Sequence, residues 1–307
     1  MPPLVMSPLS LSRIAVSMPG LRLSLFVFWV SILGAPDRAA ADDVYREIET
    51  KYIFGFTEGS GIGLEGEKEF SPDSVTGIGK RDGKYVVTQT KLKFEFTPNQ
   101  YMQFELGPIV GWHNIQNVTG LDNRNQFSFG GAFVEFRYLL LDRPASPLAV
   151  TLAIEPEWRR TDETTGENVT NFGLEMRINA DLQLVPNRLY LGWNLLYEPE
   201  TTRSASSGWT NESTFGVSSA LSFRVRPWLT IGGEVWYLRH YDGAGLNVFT
   251  GDAIFAGPNA YVQLDRKMFM TAAWNTQISG RDLENPGRFN LSEFARHRVK
   301  LKFAVEF

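Results

Sequence analysis

From residue 45 onward the chain repeats one pattern: about ten residues in which apolar and polar side chains alternate, then a turn. Such runs lie at 45–57, 84–96, 101–112, 127–140, 148–159, 171–184, 189–198, 214–225, 229–237, 253–264, 268–277 and 298–307. A period of two places successive side chains on opposite faces of a strand, and no stretch with helical period competes. In "KYVVTQTKLKFEF" Thr90, Leu92, Phe94 and Phe96 share one face while Gln89, Lys91, Lys93 and Glu95 share the other. The closing "RVKLKFAVEF" sets Val299, Leu301, Phe303, Val305 and Phe307 against Arg298, Lys300, Lys302 and Glu306.

The spacing between runs alternates as well. Connections 97–100, 141–147, 185–187, 226–228 and 265–267 are tight and rich in Pro, Asn and Asp, as short turns require. Those at 58–83, 113–126, 160–170, 199–213, 238–252 and 278–297 are long. The pattern predicts an all-β chain, a single twelve-stranded antiparallel transmembrane β-barrel with short periplasmic turns and long extracellular loops. Closure also answers why the chain stops within a strand: the last run pairs with 45–57, and no edge remains. A soluble sandwich would alternate too, but it would bury the apolar face, whereas a membrane barrel buries the polar one. Trp112 and Trp158 fall at loop ends and Trp228 and Tyr138 near the short turns, as two interfacial girdles would have it, with Trp193 and Trp274 nearer mid-strand.

Residues 1–41 read as a cleaved secretory signal. Arg13 and Arg22 precede the apolar run 23–34, and Ala39-Ala40-Ala41 offers a small-residue cleavage site before Asp42. Twelve apolar residues are too short for a spanning helix, which needs roughly 20. Met18 is the expected true start, and the barrel is expected over 42–307. The formal net charge of −4, spread along the chain, lacks the clustered basic face that a nucleic-acid partner calls for. The absence of cysteine excludes disulfides and thiolate metal sites and suits export through an oxidising compartment.

A terminal Phe307 preceded at every second position by Val305, Phe303 and Leu301 resembles the C-terminal signature of Gram-negative outer-membrane proteins. That resemblance implies an outer-membrane location, lipid neighbours and hand-over to the barrel assembly machinery. More loosely, the chain resembles uncharacterised barrels of alphaproteobacterial type and the broad family named for a phenol-degradation pathway, a likeness of general pattern that transfers no activity.

Other motifs yield little. Gly61-x-Gly63-x-x-Gly66 matches a dinucleotide-binding spacing, but the acidic, Pro-broken "EKEFSPDSVTG" follows where a helix would be needed, so a flexible loop is the reading. The carboxylates around Lys68 lack an ordered cation-ligand spacing, and no metal or cofactor is expected. His113, His240 and His297 are scattered; His240 near Asp242 is the best hydrolase candidate, without a nucleophile to place beside it. No catalytic residue is assigned.

The inward faces are more informative. Expected pore-lining residues are Glu47, Glu49 and Lys51 on the first run, Lys91, Lys93 and Glu95 on the second, and Glu135, Arg137, Glu155, Glu157, Arg159, Glu175 and Arg177 on the fourth to sixth. Lys300 and Lys302 on the last run join them on closure. Runs seven to eleven form a nearly neutral wall with small residues at Gly192, Gly216, Gly232 and Ala220. If the charges pair along the wall, a narrow channel for small polar or amphiphilic solutes remains; if they meet across the lumen, the barrel is a non-conducting scaffold acting through its loops. Twelve strands force neither outcome. The small residues favour the channel, with an outer-membrane hydrolase third.

Overall fold

The computed structural model describes residues 49–143, 147–205 and 207–307. The proposed signal segment and Glu47 lie outside them. Twelve strands form one closed antiparallel barrel in which each pairs with its sequence neighbours and the last with the first. They are β1 (Lys68–Ile78), β2 (Lys84–Asn99), β3 (Met102–Gln116), β4 (Arg124–Leu141), β5 (Leu148–Thr161), β6 (Asn168–Val185), β7 (Leu189–Ser204), β8 (Gly208–Arg226), β9 (Leu229–Asp242), β10 (Val248–Asp265), β11 (Met268–Asp282) and β12 (His297–Glu306).

Burial follows the membrane rule. On β2, Lys93 is 5% exposed while its neighbour Phe94 is 50% exposed. The same inversion runs round the barrel: Leu106, Val134, Ile154, Val235 and Leu301 face outward, and Glu105, Glu135, Glu155, Glu234 and Lys302 are buried inside. Exposure on that scale is what a lipid-facing belt requires, and the ladder leaves no strand edge in the hydrocarbon. Trp112, Phe127, Phe129 and Trp158 crowd the loop end of this surface, and Tyr101, Tyr138 and Trp228 the turn end.

Two expectations need correction. The first strand is Lys68–Ile78, not 45–57, so Glu49 and Lys51 stand on no barrel strand. Pro72 lies within β1; it pairs with Leu92 of β2, and the β12 register passes from Phe70 to Asp73 without it. A proline has no N–H to give a ladder, and here it faces the gap. Second, the outer connections are shorter than expected: 79–83, 117–123, 162–167, 205–207 and 243–247, with only 283–296 long. The strands run on past the aromatic belt, where both faces meet water and the alternation of hydrophobicity fades. Hydrogen bonds such as Asn171 Nδ2 to Glu200 and to Thr202, both 2.7 Å, tie these extensions together.

Candidate functional site

The segment preceding β1 enters the barrel instead of joining its wall. A 3₁₀ turn at Thr50–Tyr52 leads to a reversal at Gly55, and the chain returns so that the Gly59 N–H donates to Lys51 O at 3.1 Å. It leaves through 61–67, where the Gly66 N–H donates to Thr97 O and the Thr97 N–H donates to Glu67 O. The glycines of the GxGxxG spacing serve this exit: a Cβ on Gly61 would lie 2.9 Å from Thr50 N, and one on Gly63 2.7 Å from Thr97 Oγ1.

This plug is held on every side. Phe54 is fully buried against Tyr190 and Ala220, and a Cβ on Gly192 would come within 3.0 Å of its ring. The neutral wall is therefore small because the plug's aromatic residues occupy it, not because a path runs there. The Phe56 and Thr57 N–H groups donate to Glu234 at 3.0 and 2.7 Å, and the Thr57 hydroxyl donates to Ser218 at 3.0 Å. Asp181 accepts from Thr50 Oγ1 at 2.8 Å and from the Ser60 N–H at 2.6 Å. Tyr52 stacks on Phe269 with centroids 5.1 Å apart and donates to Glu95 at 2.7 Å.

Charge fixes the plug as well. Lys51 pairs with Glu95 at 2.8 Å and with Glu105. Glu58 accepts from Arg137 at 2.6 Å and from Arg177 at 2.9 Å. At Gly55, φ is +87° and an added Cβ would meet Ala273 Cβ at 2.7 Å and Glu234 Oε1 at 2.8 Å. A left-handed conformation costs a side-chain-bearing residue about 1–2 kcal/mol before the clash is counted. Gly55→Ala is accordingly expected to loosen the plug without opening the ladder. Limited proteolysis of the refolded protein should show cleavage within 49–61 in the variant and not in the parent; equal resistance would show that the reversal tolerates a side chain.

The plug separates two cavities. One, of about 800 Å³, opens at the short-turn end and is lined by Glu49, Thr50, Tyr52, Ser60 and the exit segment, with Arg143, Arg224 and Lys267. The other, of about 360 Å³, opens at the loop end above Phe56 and Glu58. They share no lining residue.

Most of the other charges expected in the pore are engaged around this plug. Lys91 spans the lumen from β2 to Glu155 and Glu157 on β5, the latter at 2.9 Å. Lys93 pairs with Glu105 at 3.1 Å, and Lys300 with Asp73 at 3.4 Å. Lys302 pairs with Glu69 at 2.9 Å. Arg159 meets Glu157 and Glu163, and Arg177 also reaches Glu135 and Glu175. Both modes of pairing, along the wall and across the lumen, occur together. Leu301, Phe303 and Phe307 face outward at 50%, 37% and 64% exposure, with Val305 partly covered beside them.

Residues 46–307 match a family of unknown function, DUF6662. The chain belongs to that family. No curated protein matches this DUF6662 chain. An outer-membrane channel from Pseudomonas putida F1 superposes with a TM-score of 0.54 at 8% identity, over 81% of this chain and 97% of that one. The translocator domain of the autotransporter NalP from Neisseria meningitidis aligns at 13% identity and TM-score 0.46, over 80% and 90% of the two chains. The NanC porin aligns at 8% and 0.44, over 78% and 98%. The first of these likenesses shows the outer-membrane barrel fold, and at such identity it shows the fold alone.

Within the DUF6662 barrel, the loop end carries the three histidines. His240 faces Thr214 across the β8–β9 ladder, with Nδ1 3.4 Å from the hydroxyl, and its Nε2 lies 3.4 Å from Glu212 and 3.5 Å from Glu293. The register thus supplies a threonine at the long limit of a hydrogen bond where a hydrolase would need an activated hydroxyl. His113 Nε2 approaches the carbonyls of Asp162 and Glu163 at 3.1 and 3.2 Å, and His297 meets Thr276. Among the described residues no group of three His, Asp or Glu side chains is placed to hold a metal ion. In the 79–83 loop, burial at the rim of the outer cavity pulls the Lys80 ammonium down to about 8. The mouth therefore loses one positive charge as the pH rises through that value.

Glu105, Thr50 and Ser60 are the residues that sequence reasoning missed, and Glu58 and Glu69, which read as carboxylates of a solvated acidic loop around Lys68, are buried inside the barrel instead. The signal that could have found the plug is "YIFGF": Tyr52, Ile53, Phe54 and Phe56 offer apolar groups on both faces, with no polar alternate for a lumen.

Proposed function

We propose that this barrel is an outer-membrane channel closed by its own N-terminal segment, and that displacement of residues 49–61 joins the two cavities into a path for small polar or amphiphilic solutes. What carries the reading is that the two cavities share no lining residue and that the plug crosses between them. Lys91, Lys93, Glu155, Arg159, Arg177 and Lys300 would then set selectivity in the outer half. The chain would be exported through the periplasm of a Gram-negative cell after loss of residues 1–41, with Leu301, Phe303, Val305 and Phe307 as its assembly signal.

A chain without cysteine allows a clean test. The Thr57 and Ser218 hydroxyls lie 3.0 Å apart, so a Thr57→Cys/Ser218→Cys pair is placed to lock the plug. Single-channel recording in planar bilayers at two salt concentrations should show rare discrete openings that appear on reduction and vanish on reoxidation. A folded barrel silent in both states would assign the protein instead to a non-conducting structural role, which the density of plug bonds also fits.

A further inference from the structure

On the outside of the barrel, at the loop end, Arg239 of β9, Phe249 of β10 and Arg281 of β11 form one stack. Each guanidinium carbon lies 4.6 Å from the Phe249 ring centroid, and that of Arg239 is 5.2 Å from the Tyr241 ring. The register sets Asp252 opposite Arg239 on one side and Arg281 on the other. Arg281 donates to Asp252 at 2.9 Å, and the Tyr237 hydroxyl donates to the same carboxylate oxygen at 3.2 Å. Arg239 has no ion pair among the described residues, and its buried Nε finds no hydrogen-bond partner. Two cations are thus pinned about one ring with one carboxylate between them.

The position of this row matters more than its charge. Glu234, Trp236 and Leu238 point into the lumen, while the outward face of β9 runs Ile231, Val235, Tyr237, Arg239 toward the loops. On β11, Trp274 and Ile278 precede Arg281 in the same direction, both more than 45% exposed. On β9, apolar, then aromatic, then cationic side chains reproduce the order acyl chain, interface, headgroup, and β11 likewise ends its apolar face in a cation. A guanidinium fork matches phosphate oxygens two at a time, and stacking on Phe249 holds both forks in place before any ligand arrives.

We infer that Arg239 and Arg281 bind the phosphate of an anionic lipid headgroup in the outer leaflet. The excess positive charge and the free donors of Arg239 are what the phosphate satisfies, and the adjoining Val235 and Ile278 meet the acyl chains of the same lipid. A lysine pair would supply the charge without the fork. This inference stands apart from the channel reading, because it concerns the outer wall and not the lumen.

Native mass spectrometry of the folded barrel tests it with three probes: a lipid A bearing phosphomonoesters, the same lipid dephosphorylated, and inorganic phosphate. The phosphorylated lipid is expected to remain bound, and its retention to fall by about tenfold or more in Arg239→Gln/Arg281→Gln, in keeping with the loss of charged hydrogen bonds. Arg203→Gln, an outward arginine that stacks on Trp209 at 6.0 Å outside this row, should retain the lipid as the parent does. Heat-modifiable mobility verifies that each variant is folded. Equal retention of the dephosphorylated lipid, equal retention by the folded double variant, or displacement by inorganic phosphate at equal concentration would each overturn the assignment.

Discussion

A barrel lacking residues 42–61 is expected to conduct ions in planar bilayers under conditions where the intact chain is nearly silent. The deletion removes what separates the two cavities and leaves the ladder whole, because β1 begins at Lys68 and closes on β12 through pairs such as Ser74 with Leu301. The wall groups that bind the plug, Asp181, Glu234, Asn194 and Arg137, do not become buried orphans. Once the plug is gone they face water, so the desolvation cost of an unpaired polar group does not arise. The opened sector would be the neutral one, where Gly192 and Ala220 now accommodate Phe54. The opposite sector keeps the Lys91 bridge from β2 to Glu155 and Glu157, which narrows the outer half whatever the plug does. Conductance proportional to salt at low selectivity would mark a wide neutral path. A deleted barrel that folds and stays silent would show that the charged sector closes the lumen by itself, and the plug would lose its role as the barrier.

That a plug was there at all was poorly legible, and the reason lies in particular residues. Eleven of the twelve strands follow from period-two runs because lipid outside and charge inside reward strict alternation, as Lys93 and Phe94 show on β2. The first strand failed on both counts. "KEFSPDSVTGI" carries a proline, a glycine and three charges and reads as a loop, yet a strand with two committed neighbours tolerates Pro72 where one ladder is interrupted. "REIETKYIFGFT" alternates well enough to pass for a strand, but consecutive Glu49 and Thr50 both line the inner cavity and consecutive Lys51 and Tyr52 both reach Glu95, so the parity of a wall strand is not kept. The inward charges of the other strands could be placed by parity. Their partners could not, because Lys91 reaches three strands away and Glu58 approaches Arg137 from a segment no ladder positions.

Glu58→Ala is expected to open the channel almost as fully as the deletion while leaving the barrel folded. Its carboxylate bridges Arg137, which is fully buried, and Arg177, so its loss leaves two guanidinium groups with Glu135, Glu175 and the Gly59 carbonyl, which accepts from Arg137 at 2.9 Å. Breaking a buried pair from one side costs about 3–5 kcal/mol. Burying a Phe side chain such as Phe54 contributes about 1.5–3 kcal/mol, so among single plug side chains the buried charges, Glu58 and Lys51, outweigh the aromatic residues. Both arginines belong to the wall and regain water when the plug leaves, so the penalty falls on the docked state alone. A loss of that size moves the docked-to-open ratio by roughly two to three and a half powers of ten. Open probability should rise accordingly at unchanged heat-modifiable mobility, with Glu58→Gln intermediate because an amide oxygen still accepts from one arginine. If Glu58→Ala lost the folded mobility, the ion cluster would be a brace of the wall; if the current did not change, the Phe54 and Glu234 contacts would have to hold the plug without it, and the electrostatic account of closure would fail.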